Sequence, residues 1–308
     1  MTSDFNIILY GKGLFSRNTS AANHQQLREL QTSGFTTVIL WTLHIDEAGN
    51  FNYNDTAIVQ NAIFTNQFNY LPRLVNELKS ADRSKVTKVL FAIGSADVGD
   101  FANIQKLLAS PAGELALRKN FTALMSALPI DGFDFDLEEE GIAVSTIVKL
   151  TTMLARYEMI VTYCPSFDTE TEFWIPCLEQ VYQQAQKQCV NWFNLQCYSG
   201  GGNNQPNNWA KLIDPKTTGI SDPVRFVIPG YWCVHSGNGD CNQGDCPIDI
   251  QNRFTELATQ TDKGICGGFI WNSEDLFACR TSPKCKINPT GPLHAYAMAI
   301  YSGLSAGS

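Results

Sequence analysis

Residues 128–140 read Leu-Pro-Ile-Asp-Gly-Phe-Asp-Phe-Asp-Leu-Glu-Glu-Glu, so apolar residues alternate with acids before the acids run on. On an extended strand successive side chains face opposite ways. Asp134, Asp136 and Glu138 therefore share one face, and Phe133, Phe135 and Leu137 share the other. A solvated edge strand can carry a row of acids, but no Lys or Arg is interspersed here and the aromatic face needs a covering layer. Carboxyl groups crowded in a partly dry site disfavour one another's ionisation, so at least one is expected to hold a proton near neutral pH. A protonated carboxyl is what a general acid requires. Glu138, last in the row and longest, is the expected proton donor. Asp136, one step inward, is expected to orient a polar group or exchange a hydrogen bond with Glu138, and Asp134 to give electrostatic support.

Other residues are of the kind a sugar site uses. Tyr198 closes an apolar run with Gln196 two residues before it on the same face, and Tyr10, Trp41, Trp232 and Trp271 lie at or just past the ends of further runs. Indole faces can stack on the apolar face of a pyranose while polar neighbours bond its hydroxyls. Each Trp taken singly reads equally well as a core filler, and their common placement is what joins them. Metal chemistry finds less support, because the four histidines are scattered and form no i, i+4 pair. Phosphate-loop spacing and the Gly-x-Ser-x-Gly elbow are absent from the sequence. No metal and no cofactor are expected.

The elements that must position these groups recur along the chain. Eight short apolar runs rich in β-branched and aromatic residues fall at 6–10, 37–42, 88–93, 132–137, 159–163, 192–198, 225–231 and 267–271. Helical spacing occupies 25–31, 70–78, 115–128, 146–156 and 250–260, and a closing helix spans 292–304 with Ala295, Ala299 and Ile300 on its packing side. Strands alternating with helices predict β/α units, and eight units close an α/β (β/α)8 TIM barrel. At 308 residues this is expected to be a single domain spanning 1–308, with loop insertions at the C-terminal face. An excursion or hairpin is expected at 46–55, a flexible Gly/Asn loop at 199–208 and a second, cysteine-bearing loop at 236–247.

A net charge of -8 leaves no positive field to hold a polyphosphate, so nucleic acid and anionic membranes are not expected partners, and a monomer is expected. No apolar run approaches the roughly 20 residues of a membrane span. All ten cysteines lie between Cys164 and Cys285. Cys164, Cys197 and Cys266 sit in apolar runs and read as buried thiols. Cys233, Cys241, Cys246, Cys279 and Cys285 sit among polar residues and read as disulfides, which favours a secreted, extracellular protein whose leader is not part of this sequence. The alternative, a zinc site from Cys233, His235, Cys241 and Cys246, matches no paired C-x-x-C spacing.

The acidic run resembles glycoside hydrolase family 18, the chitinase and endo-β-N-acetylglucosaminidase family. That family's fourth-strand motif, Asp-Gly-x-Asp-x-Asp-x-Glu, reads here Asp131-Gly132-Phe133-Asp134-Phe135-Asp136-Leu137-Glu138. The run 88–95 is similar to the family's third strand ending in Ser-x-Gly-Gly, with Ala92 and Ser95 replacing the first Ser and last Gly. Gln196-Cys197-Tyr198-Ser199 is similar to Gln-x-Tyr-Asn, with Ser in place of Asn, and 6–11 and 267–271 resemble the first and eighth strands. The resemblance implies a retaining mechanism in which the sugar's own 2-acetamido group is the nucleophile. It implies that Glu138 protonates the glycosidic oxygen, Asp136 holds the acetamido N–H, Tyr198 bonds its oxygen, Asp134 tunes Asp136 and Trp271 floors the sugar. The implied substrate is a polysaccharide or oligosaccharide containing N-acetylglucosamine. Cleavage of chitin, cleavage of N-glycan cores and sugar binding without catalysis are the three readings it leaves.

Overall fold

The structure, a computed structural model, describes residues 5–16, 20–234, 240–260, 264–286 and 291–306. The apolar runs form strands β1 (Asn6–Lys12), β2 (Thr37–Ile45), β6 (Lys88–Ile93), β7 (Gly132–Phe135), β8 (Ile160–Tyr163), β9 (Trp192–Gln196), β10 (Val227–Trp232) and β11 (Gly267–Trp271), with three short strands, β3 (Phe51–Tyr53), β4 (Thr56–Gln60) and β5 (Ile63–Phe64), inserted after β2. These eight pair in parallel in chain order, and β1 pairs with both β2 and β11, which closes the ring. This is the expected (β/α)8 barrel.

Period-2 alternation sorts the strand residues into two cores. Ile8, Ile39, Leu90, Trp192, Ile228 and Phe269 point inward and fill the barrel. Leu9, Val38, Phe91, Phe133, Val161 and Phe193 point outward into a larger core shared with the helices. The acids of the fourth run belong to the inner set, and Phe133, Phe135 and Leu137 to the outer one.

The helices on the outer face include α1 (Ser20–Gln31), α2 (Leu71–Ser80), α3 (Asp100–Leu108), α4 (Pro111–Ala127), α5 (Val144–Ala155) and α6 (Thr171–Ala185). Three short helices, α7 (Pro206–Leu212), α8 (Pro215–Thr218) and α9 (Pro223–Phe226), lead into β10. Then come α10 (Pro247–Thr259), α11 (Ser273–Ala278) and α12 (Pro292–Ser305). Sequence spacing did not single out α3 and α6, although their buried faces follow it, with Phe101, Ile104, Leu107 and Leu108 on one and Trp174, Cys177, Leu178 and Val181 on the other. On α12 the packing side is Leu293, Tyr296, Ala297, Ala299, Ile300 and Leu304, which includes two of the three expected residues, and Ala295 lies outside it.

The excursion after β2 is longer than expected. It is an antiparallel meander of β3 (Phe51–Tyr53), β4 (Thr56–Gln60) and β5 (Ile63–Phe64), packed on α4 through Phe51 and Phe121. The Gly/Asn run at 199–208 is not a loose loop. Asn204 is buried, donates to the carbonyls of Gln196 and Ser166, and accepts from the Trp209 indole, so the chain folds back under the end of β9.

Four of the five polar-context cysteines pair as expected, Cys241 with Cys279 and Cys246 with Cys285. The expectation for Cys233 is corrected, since it is a buried free thiol just past β10. The pairing also removes Cys241 and Cys246 from the zinc alternative, while His235 lies outside the described residues. Cys164 is buried, whereas Cys197 and Cys266 are only partly so. No helix among the described residues is long and apolar enough to cross a membrane.

Candidate active site

The fourth barrel strand ends at Phe135, but its course continues. Asp136 N donates to Ile93 O at 2.9 Å, and Glu138 forms a parallel bridge with Ala96. The alternation therefore persists past the strand, and the three acids keep one face. Gly94 makes this possible. Its φ is +94°, and a Cβ there would stand 2.5 Å from the Asp136 carbonyl oxygen. Beyond the row, Glu139 turns away and accepts from Phe101 N and Ala102 N, both at 3.0 Å, in the first turn of α3. A carboxylate there satisfies orphan N–H groups and meets the positive end of the helix. The acidic continuation thus anchors the segment that presents Glu138.

Asp134 is fully buried. Tyr10 Oη donates to its Oδ2 at 2.7 Å, and Thr162 Oγ1 and Asn194 Nδ2 donate to its Oδ1 at 2.5 and 2.8 Å. Asp136, also buried, accepts from Trp41 Nε1 at 2.8 Å and from Gln196 Nε2 at 3.3 Å. Gln196 Nε2 also reaches Glu138 Oε1 at 3.0 Å. Glu138 is half-buried at the mouth and shares a hydrogen bond with Asp136.

Burial sets the acidities. It pushes the Asp134 carboxyl up to about 6, against the pull of its three donors. It raises Asp136 well above the ordinary carboxylate range, and the charges of Glu138 and Asp134 add to the rise. Glu138 is raised chiefly by burial as well. The bond from Gln196 opposes this, and the charges of Glu170 and Asp97 reinforce it. The row can therefore keep a proton on the adjoining Asp136 and Glu138 near neutral pH.

The aromatic residues named from sequence converge on the same mouth. Trp41 and Trp271 meet edge to face at 5.0 Å, and Tyr10 lies 5.7 Å from Trp271. Tyr198 stacks on Trp232 with ring centroids 5.9 Å apart. Lys12 Nζ sits 5.7 Å from the Trp41 ring centre and pairs with Glu274 at 3.1 Å. The peptide bonds Trp41–Thr42 and Trp271–Asn272 are cis. One expectation is revised. Tyr10 is 1% exposed, and its hydroxyl is engaged by Asp134 and Cys164, so it supports the acids and offers no open face to a sugar.

Sequence reasoning missed Thr162, Asn194 and Glu170. A signal for two of them was present, since Asn194 precedes Gln196 by two residues and Thr162 precedes Cys164 by two, on the inner face of their strands. Glu170 accepts from Ser166 N, Ser166 Oγ and Trp174 Nε1 in the turn after β8, and nothing local marks it. A separate cavity of 810 Å³, lined by Asn6, Arg83, Lys88, His294 and Tyr301, opens at the opposite end of the barrel and touches none of the acids.

No protein-family model matches the chain, and no curated protein matches it in sequence. Solved structures do match over nearly its whole length. A fungal endo-β-N-acetylglucosaminidase from glycosyl hydrolase family 18 is 18% identical, with 96% of this chain and 97% of that chain covered and a TM-score of 0.65. A GH18 chitinase from Pseudoalteromonas aurantia is 16% identical, with 96% and 99% covered and a TM-score of 0.61. The GH18 chitinase ChiB from Flavobacterium johnsoniae is 13% identical, with 97% and 94% covered and a TM-score of 0.60. The chain thus has the (β/α)8 barrel fold of the family 18 glycoside hydrolases.

Proposed function

We propose that the chain is a retaining glycoside hydrolase that cleaves β-1,4 N-acetylglucosamine linkages in chitin or chitooligosaccharides. The observation that carries this reading is the disposition of the three carboxyls. They lie along one strand, with Asp134 and Asp136 buried beneath a half-buried Glu138. Acid and nucleophile must stand on opposite sides of the scissile bond, and three groups on one strand cannot. A nucleophile carried by the substrate resolves this.

In this reading Glu138 gives its proton to the glycosidic oxygen as the C1–O bond breaks. The carbonyl oxygen of the 2-acetamido group bonds to C1 from the other side, forming an oxazolinium ion. Asp136 holds the acetamido N–H, and Tyr198 bonds its carbonyl oxygen. Asp134 supports Asp136, and Trp41, Gln196, Trp232 and Trp271 line the sugar. Water then adds to C1, losing a proton to the Glu138 carboxylate, and the starting configuration is restored. The two disulfides fit a secreted protein.

The second reading is an endo-β-N-acetylglucosaminidase acting on N-glycan cores. Ser95 and Ser199 depart from the chitinase pattern, and one of the structures sharing the fold is such an enzyme. Offering chitin oligomers and a high-mannose glycoprotein side by side, with products identified by mass, separates the readings. Disaccharide release supports the first, and release of a glycan that leaves one N-acetylglucosamine on Asn supports the second. Binding of either substrate with no product from either one overturns both in favour of a sugar-binding protein.

A further inference from the structure

Asp134 is enclosed by β1, β7, β8 and β9, and its hydrogen-bond partners are neutral side chains. Which of them donate follows from a single group. The Trp192 indole N–H can only donate, and it donates to Asn194 Oδ1 at 2.9 Å. That contact decides which way the Asn194 amide faces. Its Nδ2 is turned to Asp134 Oδ1 at 2.8 Å and to Thr162 Oγ1 at 3.3 Å. The Thr162 oxygen accepts from Asn194, so the Thr162 proton is directed to Asp134 Oδ1 at 2.5 Å. Two donors thus converge on Oδ1, and Tyr10 Oη supplies the donor for Oδ2. On the other flank Ala92 pairs in register with Asp134 and offers no hydroxyl, so β8 and β9 provide what β6 does not.

We propose that Thr162 and Asn194, oriented by Trp192, are positioning residues that hold Asp134 as an anion and thereby keep the proton of the acid row on the Asp136–Glu138 pair. Hydrogen bonds to an ionised carboxyl favour that form, which offsets part of the cost of burying the charge. The titratable groups around Asp134 are Tyr10 on β1, Asp136 in the same segment and Cys164 after β8. Burial raises the pKa of Tyr10 and of Cys164 and so keeps both neutral. Asp136 is the neighbour whose proton responds to the charge on Asp134. The effect on turnover rests on the hydrolase reading, whereas the charge on Asp134 does not.

The test uses Thr162→Val, Asn194→Leu, Trp192→Phe and Thr162→Ser in the full chain. The Asp134 carboxyl is followed by 13C NMR titration, assigned by its loss in Asp134→Asn, and the pH profile of kcat/KM is measured alongside. Removing one donor from a charged acceptor is expected to raise the Asp134 titration by about one pH unit. Thr162→Val and Asn194→Leu should each do so, and Trp192→Phe should give a smaller shift of the same sign. Thr162→Ser should restore the wild-type curve. In an active enzyme the acidic limb of kcat/KM moves up with the carboxyl. An unmoved Asp134 titration in folded Thr162→Val and Trp192→Phe overturns the proposal, and the near-isosteric Thr162→Val serves even where Asn194→Leu or Trp192→Phe does not fold. A shifted titration in a protein that cleaves neither chitin oligomers nor glycoprotein upholds the proposal and rejects the hydrolase reading.

Discussion

Gln196 Nε2 lies 3.0 Å from Glu138 Oε1 and 3.3 Å from Asp136 Oδ1, so one amide group from β9 spans the two acids that are to share a proton. Its bond to Glu138 lowers that acid's pKa against the rise caused by burial. Replacing it by Gln196→Leu should let Glu138 keep its proton to higher pH. The alkaline limb of kcat/KM is expected to move up by about one unit, while kcat falls because the acid is less well held. A limb that stays in place would separate Gln196 from the control of Glu138.

Glu138→Gln keeps the shape of the proposed acid and removes its proton. Hydrolysis of a chitooligosaccharide or glycoprotein should fall by about 100- to 10,000-fold, the usual range for losing a general acid, with sugar affinity measured by calorimetry little changed. Turnover at the wild-type rate would refute the assignment.

Asp136→Asn should slow the reaction, and the wild-type products should retain the β configuration when followed by NMR during early turnover. Products of inverted configuration would exclude an acetamido nucleophile.

The buried acids make stability depend on pH in a definite direction. Asp134 rises from its ordinary 3.8 to about 6 on folding. Its proton therefore binds the folded state more tightly than the unfolded one. The stability this confers is fully present below pH 3.8 and is lost as pH rises through about 6. The loss is roughly 3 kcal/mol for that shift. Asp136 is raised further and acts in the same direction. Asp136→Asn removes a carboxyl that ionises more readily in the unfolded chain than in the fold, and its Tm should exceed that of the wild type by a margin that widens from pH 4 to pH 8. A difference that is flat with pH would contradict the stated electrostatics.

The disulfides Cys241–Cys279 and Cys246–Cys285 span separations of 38 and 39 residues. In the chain-entropy account, closing a loop of this size stabilises by about 4 kcal/mol, and a second, nearly parallel link adds less. Reduction should lower Tm by several degrees. The fold of this corner should survive, because Tyr296 Oη donates to Asp245 O and accepts from Val234 N. Retained near-UV circular dichroism after reduction at low temperature is the expected result, and its loss would make the bridges essential to the barrel.

Much of this was legible locally. Side chains on a strand alternate with period 2, so the run 131–138 by itself puts Asp134, Asp136 and Glu138 on one face and separates them from Phe133 and Phe135. The eight apolar runs likewise carry their own signature, and their number and spacing are enough for a barrel. Other features depend on chain segments far apart in sequence. Thr162 and Asn194 meet Asp134 only because β8 and β9 stand beside β7 in a particular register. The same closure buries Tyr10 against Asp134 rather than leaving its face to a ligand. Cys233 looked like its neighbours in composition, and its burial beside Asn272 was set by how β10 ends against β11. The sequence by itself determined the acid row and the alternation that builds the barrel, because these are properties of one strand at a time. Only the tertiary structure decided which donors hold each acid, and hence where the proton rests, because hydrogen bonds across a closed sheet depend on register and depth that no single segment contains.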